Sequence, residues 1–151
     1  MRDDIDRRIL RHYQHDPGQG QTELARRAGL APATFARRLE RMTAAGVIRG
    51  NRTVIDWRAL GYQVEVSLRI ALDKTDPRAF DGFLAAARDI PEVIEIQTFL
   101  GRVDVRLLVI SRDMAHYQQL YRNAILPLPH IADIEALMHL ARIKSDEVLP
   151  V

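Results

Sequence analysis

"TELARRAGLAPATFARRLERMTAAG", Thr22 to Gly46, carries two helical patterns joined by a glycine. Leu24, Ala25 and Ala28 recur on one side of the first pattern. Gly29 follows, a residue that tolerates the left-handed conformation at a helix end. Pro32 then suits the first position of a second helix, where its missing N–H would lack a partner anyway. Phe35, Leu39 and Met42 form the apolar stripe of that helix, and Gly46 ends it. Two short helices around a tight glycine turn make a helix-turn-helix pattern.

The second helix poses a chemical question. At about 100° per residue, Thr34, Arg37 and Arg41 fall opposite the apolar stripe, with Arg38 on its flank and Glu40 aside. An exposed arginine face is commonly just a solvated surface. Here it belongs to the second helix of a helix-turn-helix pair, it has almost no acid, and Arg49 and Arg52 follow immediately. Arginine clamps phosphates and reaches guanine edges bidentately in the major groove. The expected partner is therefore double-stranded DNA. The expected DNA-contacting residues are Thr22, Ala33, Thr34, Arg37, Arg38, Arg41, Arg49 and Arg52.

Upstream, Ile5, Ile9, Leu10 and Tyr13 recur at helical spacing, behind Asp3, Asp4 and Asp6, whose charges favour a helix start. "DPGQGQ", Asp16 to Gln21, reads as a loop. Downstream, "VIRGNRTVID" places β-rich runs on either side of Gly50-Asn51, which suits a tight hairpin. Three helices and a hairpin predict a winged helix-turn-helix domain over residues 1–55. "DWRALGY" then predicts a linker over 56–61.

The remainder, 62–151, changes character. "QVEVSLRIAL" alternates strictly, with Val64, Val66, Leu68, Ile70 and Leu72 on one face. Helical, strand, strand, helical and strand patterns follow, so the order is β-α-β-β-α-β. The fold class expected for the whole chain is α+β, a winged helix-turn-helix followed by a ferredoxin-like βαββαβ domain. The last strand, "HIADIEALMHLARI", has apolar residues on both faces. A second copy of the domain is the economical cover, which predicts a homodimer.

Totals bound the alternatives. The chain has 151 residues, a net charge of +2 and no cysteine, which excludes disulfides, thiolate metal sites and a cysteine nucleophile. Residues 1–60 hold 12 Lys/Arg against 7 Asp/Glu, and residues 61–151 hold 10 against 13. A basic half followed by an acidic half assigns the polyanion to the first. No secretory pattern or bilayer-length apolar run is visible, so the expectation is a cytoplasmic protein without a membrane partner. The five histidines, His12, His15, His116, His130 and His139, show no metal-binding spacing. No phosphate loop, nucleophile elbow or carboxylate pair stands out, so no catalytic residue, cofactor or metal is expected. Trp57 and the tyrosines are dispersed, as packing residues are.

The chain resembles the Lrp/AsnC, or feast/famine, family of prokaryotic transcription regulators over nearly its whole length. "DDIDRRIL" resembles the family's opening helix, and "TELARRAGLAPATFARRLERMTAAGVIRGNRTVID" its helix-turn-helix and wing. "LGY" resembles its entry to the second domain. The βαββαβ half resembles its ligand-sensing and assembly domain, with Gly101 and Asp104 in the characteristic loop. The resemblance implies DNA binding modulated by an amino acid or related carboxylate at a subunit interface. It also implies octamers of four dimers. The expected effector residues are Leu100, Gly101, Arg102, Asp104 and Ala136.

Three departures from the family pattern are visible. Ala31 stands where a hydroxyl residue often caps the recognition helix. The sensing loop reads Gly101-Arg102-Val103-Asp104, with a base for an acid and an aliphatic for an aromatic. Ala136, Leu137 and Met138 replace hydroxyls on the last strand. Arg102 offers a partner to a carboxylate or another anion. Two rival functions share the layout: an effector-independent architectural DNA-binding protein, and an enzyme resembling sirohaem decarboxylases. The enzyme's resemblance requires histidine-bearing motifs near the second and third strands, and "TFLGRVDVRLL" has no histidine.

Overall fold

The computed structural model describes residues 3–144 and 148–151, which form two compact units. The first unit comprises residues up to Val54 together with Lys144–Val151, and the second Ile55–Ile143.

The first unit is a three-helix cluster. Helix α1 spans Asp4–Tyr13, α2 Gln21–Arg27 and α3 Pro32–Ala44. Asp3 caps α1 by accepting from the Asp6 amide at 2.9 Å. Gly29 and Gly46, at φ 63° and 69°, close α2 and α3 in the same way. After α2, Gly29 N donates to Arg26 O and Leu30 N to Ala25 O; after α3, Gly46 N donates to Thr43 O and Val47 N to Met42 O. Each is a paired closure that satisfies carbonyls the helix leaves free. Ile9, Leu24, Ala25, Ala28, Phe35, Leu39 and Met42 are buried together. Ala31 precedes α3 with no side-chain cap.

The expected hairpin is absent. Residues 49–56 carry no strand, and Val54 and Ile55 are 84% and 63% exposed. Gly50 sits at φ 141°, and Asn51 Nδ2 donates to Tyr13 Oη at 3.0 Å. An isolated pair of short strands gains too little from its own hydrogen bonds to hold together, and the described residues of this unit include no strand to lie beside it. Val47 and Ile48 still pack against the helical core.

Residues 148–151, assigned by sequence to the second domain, lie against α1. Gln14 donates to Leu149 O at 3.0 Å and accepts from Leu149 N at 2.9 Å, as a strand neighbour would. Arg11 Nε donates to Val151 O at 2.7 Å. Leu149 and Val151 line a groove with Leu10, Tyr13, Ile48 and Val54. Short helical and extended stretches of this kind carry no periodicity of their own, so docking by side-chain amide escapes a pattern reading.

The second unit has the expected order. Strand β1 is Val64–Leu72, α4 Ala79–Arg88, β2 Val93–Thr98 and β3 Val105–Ser111. Helix α5, Met114–Leu120, runs into a π-helical turn at Tyr121–Ile125, and β4 is Ile131–Met138. The sheet is antiparallel throughout, in the order β2-β3-β1-β4. Val66, Leu68 and Ile70 of β1 pair with Val109, Leu107 and Val105 of β3 and share their face. That face packs on Phe83 and Ala87 of α4 and on Tyr117, Leu120 and Ile125 beyond β3. The opposite face is not bare at its centre: Glu65, Ser67, Leu108 and Ile110 are all buried. β4 stops at Met138, earlier than the sequence pattern suggests, and Leu140 and Ile143 beyond it are almost wholly exposed.

Candidate DNA-binding face and effector loop

The outward side of α2 and α3 is built from the residues that the buried stripe leaves over. Thr22, Ala33, Arg37 and Arg41 are exposed and Thr34 is half-buried. Arg49 and Arg52 are exposed in the extended segment after α3. The arginines of α2 are already engaged. Arg26 makes two hydrogen bonds to Glu23, at 2.7 and 2.6 Å, and Arg27 a third at 3.1 Å. These bonds, chiefly from Arg26, draw the Glu23 carboxyl down to about 2.

The arginines of α3 are not equivalent. Arg37 has no hydrogen-bond or ion-pair partner among the described residues. Arg38 Nη1 donates to both oxygens of Asp3, at 2.9 and 2.7 Å, and to Asp6 Oδ1 at 2.9 Å. Arg41 Nη2 donates to Asp6 Oδ2 at 2.7 Å. Arg38 is thus held inside the domain, where the sequence reading placed a DNA contact on the flank of the helix. Its hydrogen bond to Asp3, more than the Asp6 amide, lowers the Asp3 pKa. Asp6 is only 2% exposed. The signal for it was present: Asp6, Ile9, Leu10 and Tyr13 recur at the inward spacing, but the acid read as a helix-start charge.

In the second unit, the loop between β2 and β3 contains Leu100, Gly101, Arg102 and Asp104. Leu100, Gly101 and Arg102 are exposed. Asp104 is not; it is 3% exposed and ties the loop to β1. Its oxygens accept from Leu72 N at 2.9 Å and Lys74 Nζ at 2.7 Å, and its amide donates to Ile70 O at 2.9 Å. Burial pushes its pKa up, but Lys74 and the Leu72 amide outweigh that and hold it below the ordinary value. Asp104 is among the expected effector residues, and both its oxygens already have partners within the chain. A Cβ at Gly101 would meet nothing within 4 Å among the described residues, so that side of the glycine is open. Ala136 is exposed on β4 and pairs with Leu68 of β1. β4 is the edge opposite β2, so one chain does not bring Ala136 and the β2–β3 loop together.

Two family models cover these two surfaces. Residues 2–49 match the winged helix-turn-helix DNA-binding domain, and residues 65–149 the Lrp/AsnC ligand binding domain. The chain is 35% identical over 130 residues to the proline dehydrogenase transcriptional activator of Rhodobacter capsulatus, covering 86% of this chain and 84% of that one. The chain belongs to the Lrp/AsnC family. It is also 29% identical to the leucine-responsive regulatory protein of Escherichia coli strain K12, over 97% of this chain and 90% of that one. Among solved structures it matches an AsnC family transcriptional regulator from Agrobacterium tumefaciens at TM-score 0.89 and 30% identity, covering 99% and 97% of the two chains. It is a DNA-binding transcriptional regulator with a ligand-binding domain, and the relatives it matches are regulators.

One cluster of this Lrp/AsnC chain escaped the sequence reading. Glu65, on the face of β1 away from the helices, is 3% exposed and meets two arginines and a histidine. Arg58 Nη2 lies 3.5 Å from one of its oxygens, while His139 Nδ1 at 3.2 Å and Arg142 Nη2 meet the other. Arg58 also stacks over Trp57, 4.7 Å from the ring centroid. Only the fold shows that these three positions share one carboxylate. Among the described residues no group of three or more His, Asp or Glu could hold a metal ion. No helix among them is long and apolar enough to cross a membrane.

Proposed function

We propose that this regulator reads double-stranded DNA with the outer face of α3, through Thr34, Arg37 and Arg41, with Ala33 and Thr22 at its margin. Arg49 and Arg52 contact the phosphate backbone beside it. Arg38 is left out of the contact set, because its guanidinium is bound to Asp3 and Asp6. The observation that carries the reading is the unpartnered, exposed Arg37 on the second helix of a helix-turn-helix, one turn from the exposed Arg41. Arginine there can form a fork to a base edge. Arg37→Ala should cost about 1–3 kcal/mol of operator affinity and relax sequence preference, without lowering thermal stability. Operator binding unchanged in an Arg37→Ala, Arg41→Ala double variant overturns the assignment.

Regulation passes, in this reading, through the β2–β3 loop. An amino acid or small carboxylate binds at Leu100, Gly101 and Arg102, its carboxylate against the Arg102 guanidinium. Asp104 shapes the loop rather than touching the ligand. Ala136 joins only from another subunit, since it lies on the far edge strand of its own sheet. Exposed Met138, Leu140 and Ile143 form the seam for a second copy, giving a homodimer and, by family likeness, octamers of four dimers. The leucine-responsive relative lends support for an amino-acid effector. Calorimetry of amino acids and small carboxylates against wild type and Arg102→Ala tests the site. An effector that binds both equally tightly removes Arg102 from it.

A further inference from the structure

We propose that Asp6 is a specificity-determining residue of DNA recognition, acting through the arginines of α3 rather than on DNA itself. The inference rests on the reading of α3 as the DNA-contacting helix. Each oxygen of this buried carboxylate holds a different guanidinium, Arg38 through Oδ1 and Arg41 through Oδ2. Both oxygens of Asp3 accept from the same Arg38 nitrogen, Nη1, that meets Asp6. Side-chain exposure grades accordingly: 3% for Asp6, 19% for Arg38 and 60% for Arg41.

Two consequences follow for a polyanion approaching α3. The first concerns charge. Asp3 and Asp6 balance Arg38 and Arg41, so Arg37 is the cation of this helix that no carboxylate compensates. A helix with three mobile arginines would bind any duplex through its phosphates; this one is restrained from doing so. The second concerns order. Arg41 is tethered by one terminal nitrogen, Nη2, while its side chain stays 60% exposed. A guanidinium already fixed at one edge loses less freedom when its other edge meets a base. Asp6 therefore trades indiscriminate phosphate attraction for an oriented fork.

The test uses the full chain, an operator selected from random duplexes by the wild type, and a scrambled duplex of equal length. Binding of each is measured across a salt series. Asp6→Asn should lower the operator-to-scrambled affinity ratio about tenfold, the range one base contact commands. It should also steepen the salt dependence on scrambled DNA by about 0.9 per arginine released. Asp4→Asn removes an exposed charge from the same helix that contacts neither arginine, and should change the ratio little. A folded Asp6→Asn protein with the wild-type ratio and slope overturns the proposal, as does an equal change in Asp4→Asn. Should Asp6→Asn fail to fold, Asp6→Glu keeps the charge but displaces it by one methylene. Its ratio should fall with the slope retained, and an unchanged ratio overturns the proposal. Arg37→Ala and Arg41→Ala separate the levels. If neither alters DNA binding, the reading of α3 fails; if both weaken it while Asp6→Asn changes nothing, the role of Asp6 alone fails.

Discussion

Each unit buries carboxylates against cations, and the two put the pairing to different use. In the first, Asp6 grips Arg41 by one edge and leaves the guanidinium 60% exposed. In the second, Asp104 is itself the residue the family pattern points to, and its oxygens are taken by Leu72 N and Lys74. The first arrangement holds a guanidinium that is still open to solvent; the second fastens a loop to a strand. A buried acid thus says little about function until the free edges of its partner are counted.

The largest effects should come from the two cores. Phe35 and Phe83 are each wholly buried, one in each unit. Truncating either ring to alanine should cost about 3–5 kcal/mol, through lost burial and the cavity left behind. The consequences should separate. Phe35→Ala should abolish operator binding, whereas Phe83→Ala should first impair effector binding and assembly. Thermal melts followed by operator binding and sedimentation check this. Loss of assembly in Phe35→Ala with full operator binding would erase the contrast between the units.

A middle-sized effect is expected at Asp104. Asp104→Asn keeps the shape but weakens the bonds to Leu72 N and Lys74, and should cost about 1–3 kcal/mol. The acid dependence gives the sharper readout. The folded protein holds this carboxyl below its ordinary value, so the unfolded chain takes up the proton first. The stability it contributes is present at neutral pH and is lost as pH falls through the ordinary carboxylate range, about 3.9, and below. Asp104→Asn should flatten that part of the acid-unfolding curve. An acid limb identical to wild type would show that the Asp104 bonds add nothing to folding.

Legibility followed the same division. The helix ends at Gly29 and Gly46 and the alternation of β1 were readable, because each is a local rule with one solution. The outward placement of Arg37 and Arg41 followed from the same helical period. What failed depended on partners far along the chain. The hairpin at Gly50-Asn51 has the right turn residues, yet no neighbouring strand supports it. The ties of Arg38 were out of reach because its partners, Asp3 and Asp6, lie more than thirty residues away. Glu65 and Arg142 are 77 residues apart, and no spacing rule reaches that far. Residues 148–151 find α1 through a glutamine amide, a contact with no periodic signature.

The smallest effect sharpens the comparison within the DNA-binding unit itself. Arg49 lies in the segment after α3, exposed and outside the ion pairs that Asp3 and Asp6 make with Arg38 and Arg41. If α3 carries oriented arginines, a cation on a segment outside any helix or strand should serve as a phosphate contact only. Arg49→Ala should therefore reduce affinity for operator and scrambled duplexes by the same few-fold factor. The slope of log affinity against log salt should fall by about 0.9, the value for one phosphate neutralised. The operator-to-scrambled ratio should stay at its wild-type value, since phosphates carry no sequence. Arg37→Ala should show the converse, a fall in the ratio. A fall in the ratio for Arg49→Ala would mean that this segment becomes ordered on DNA and reads bases. The distinction between a base-reading helix and a phosphate-contacting segment would then give way.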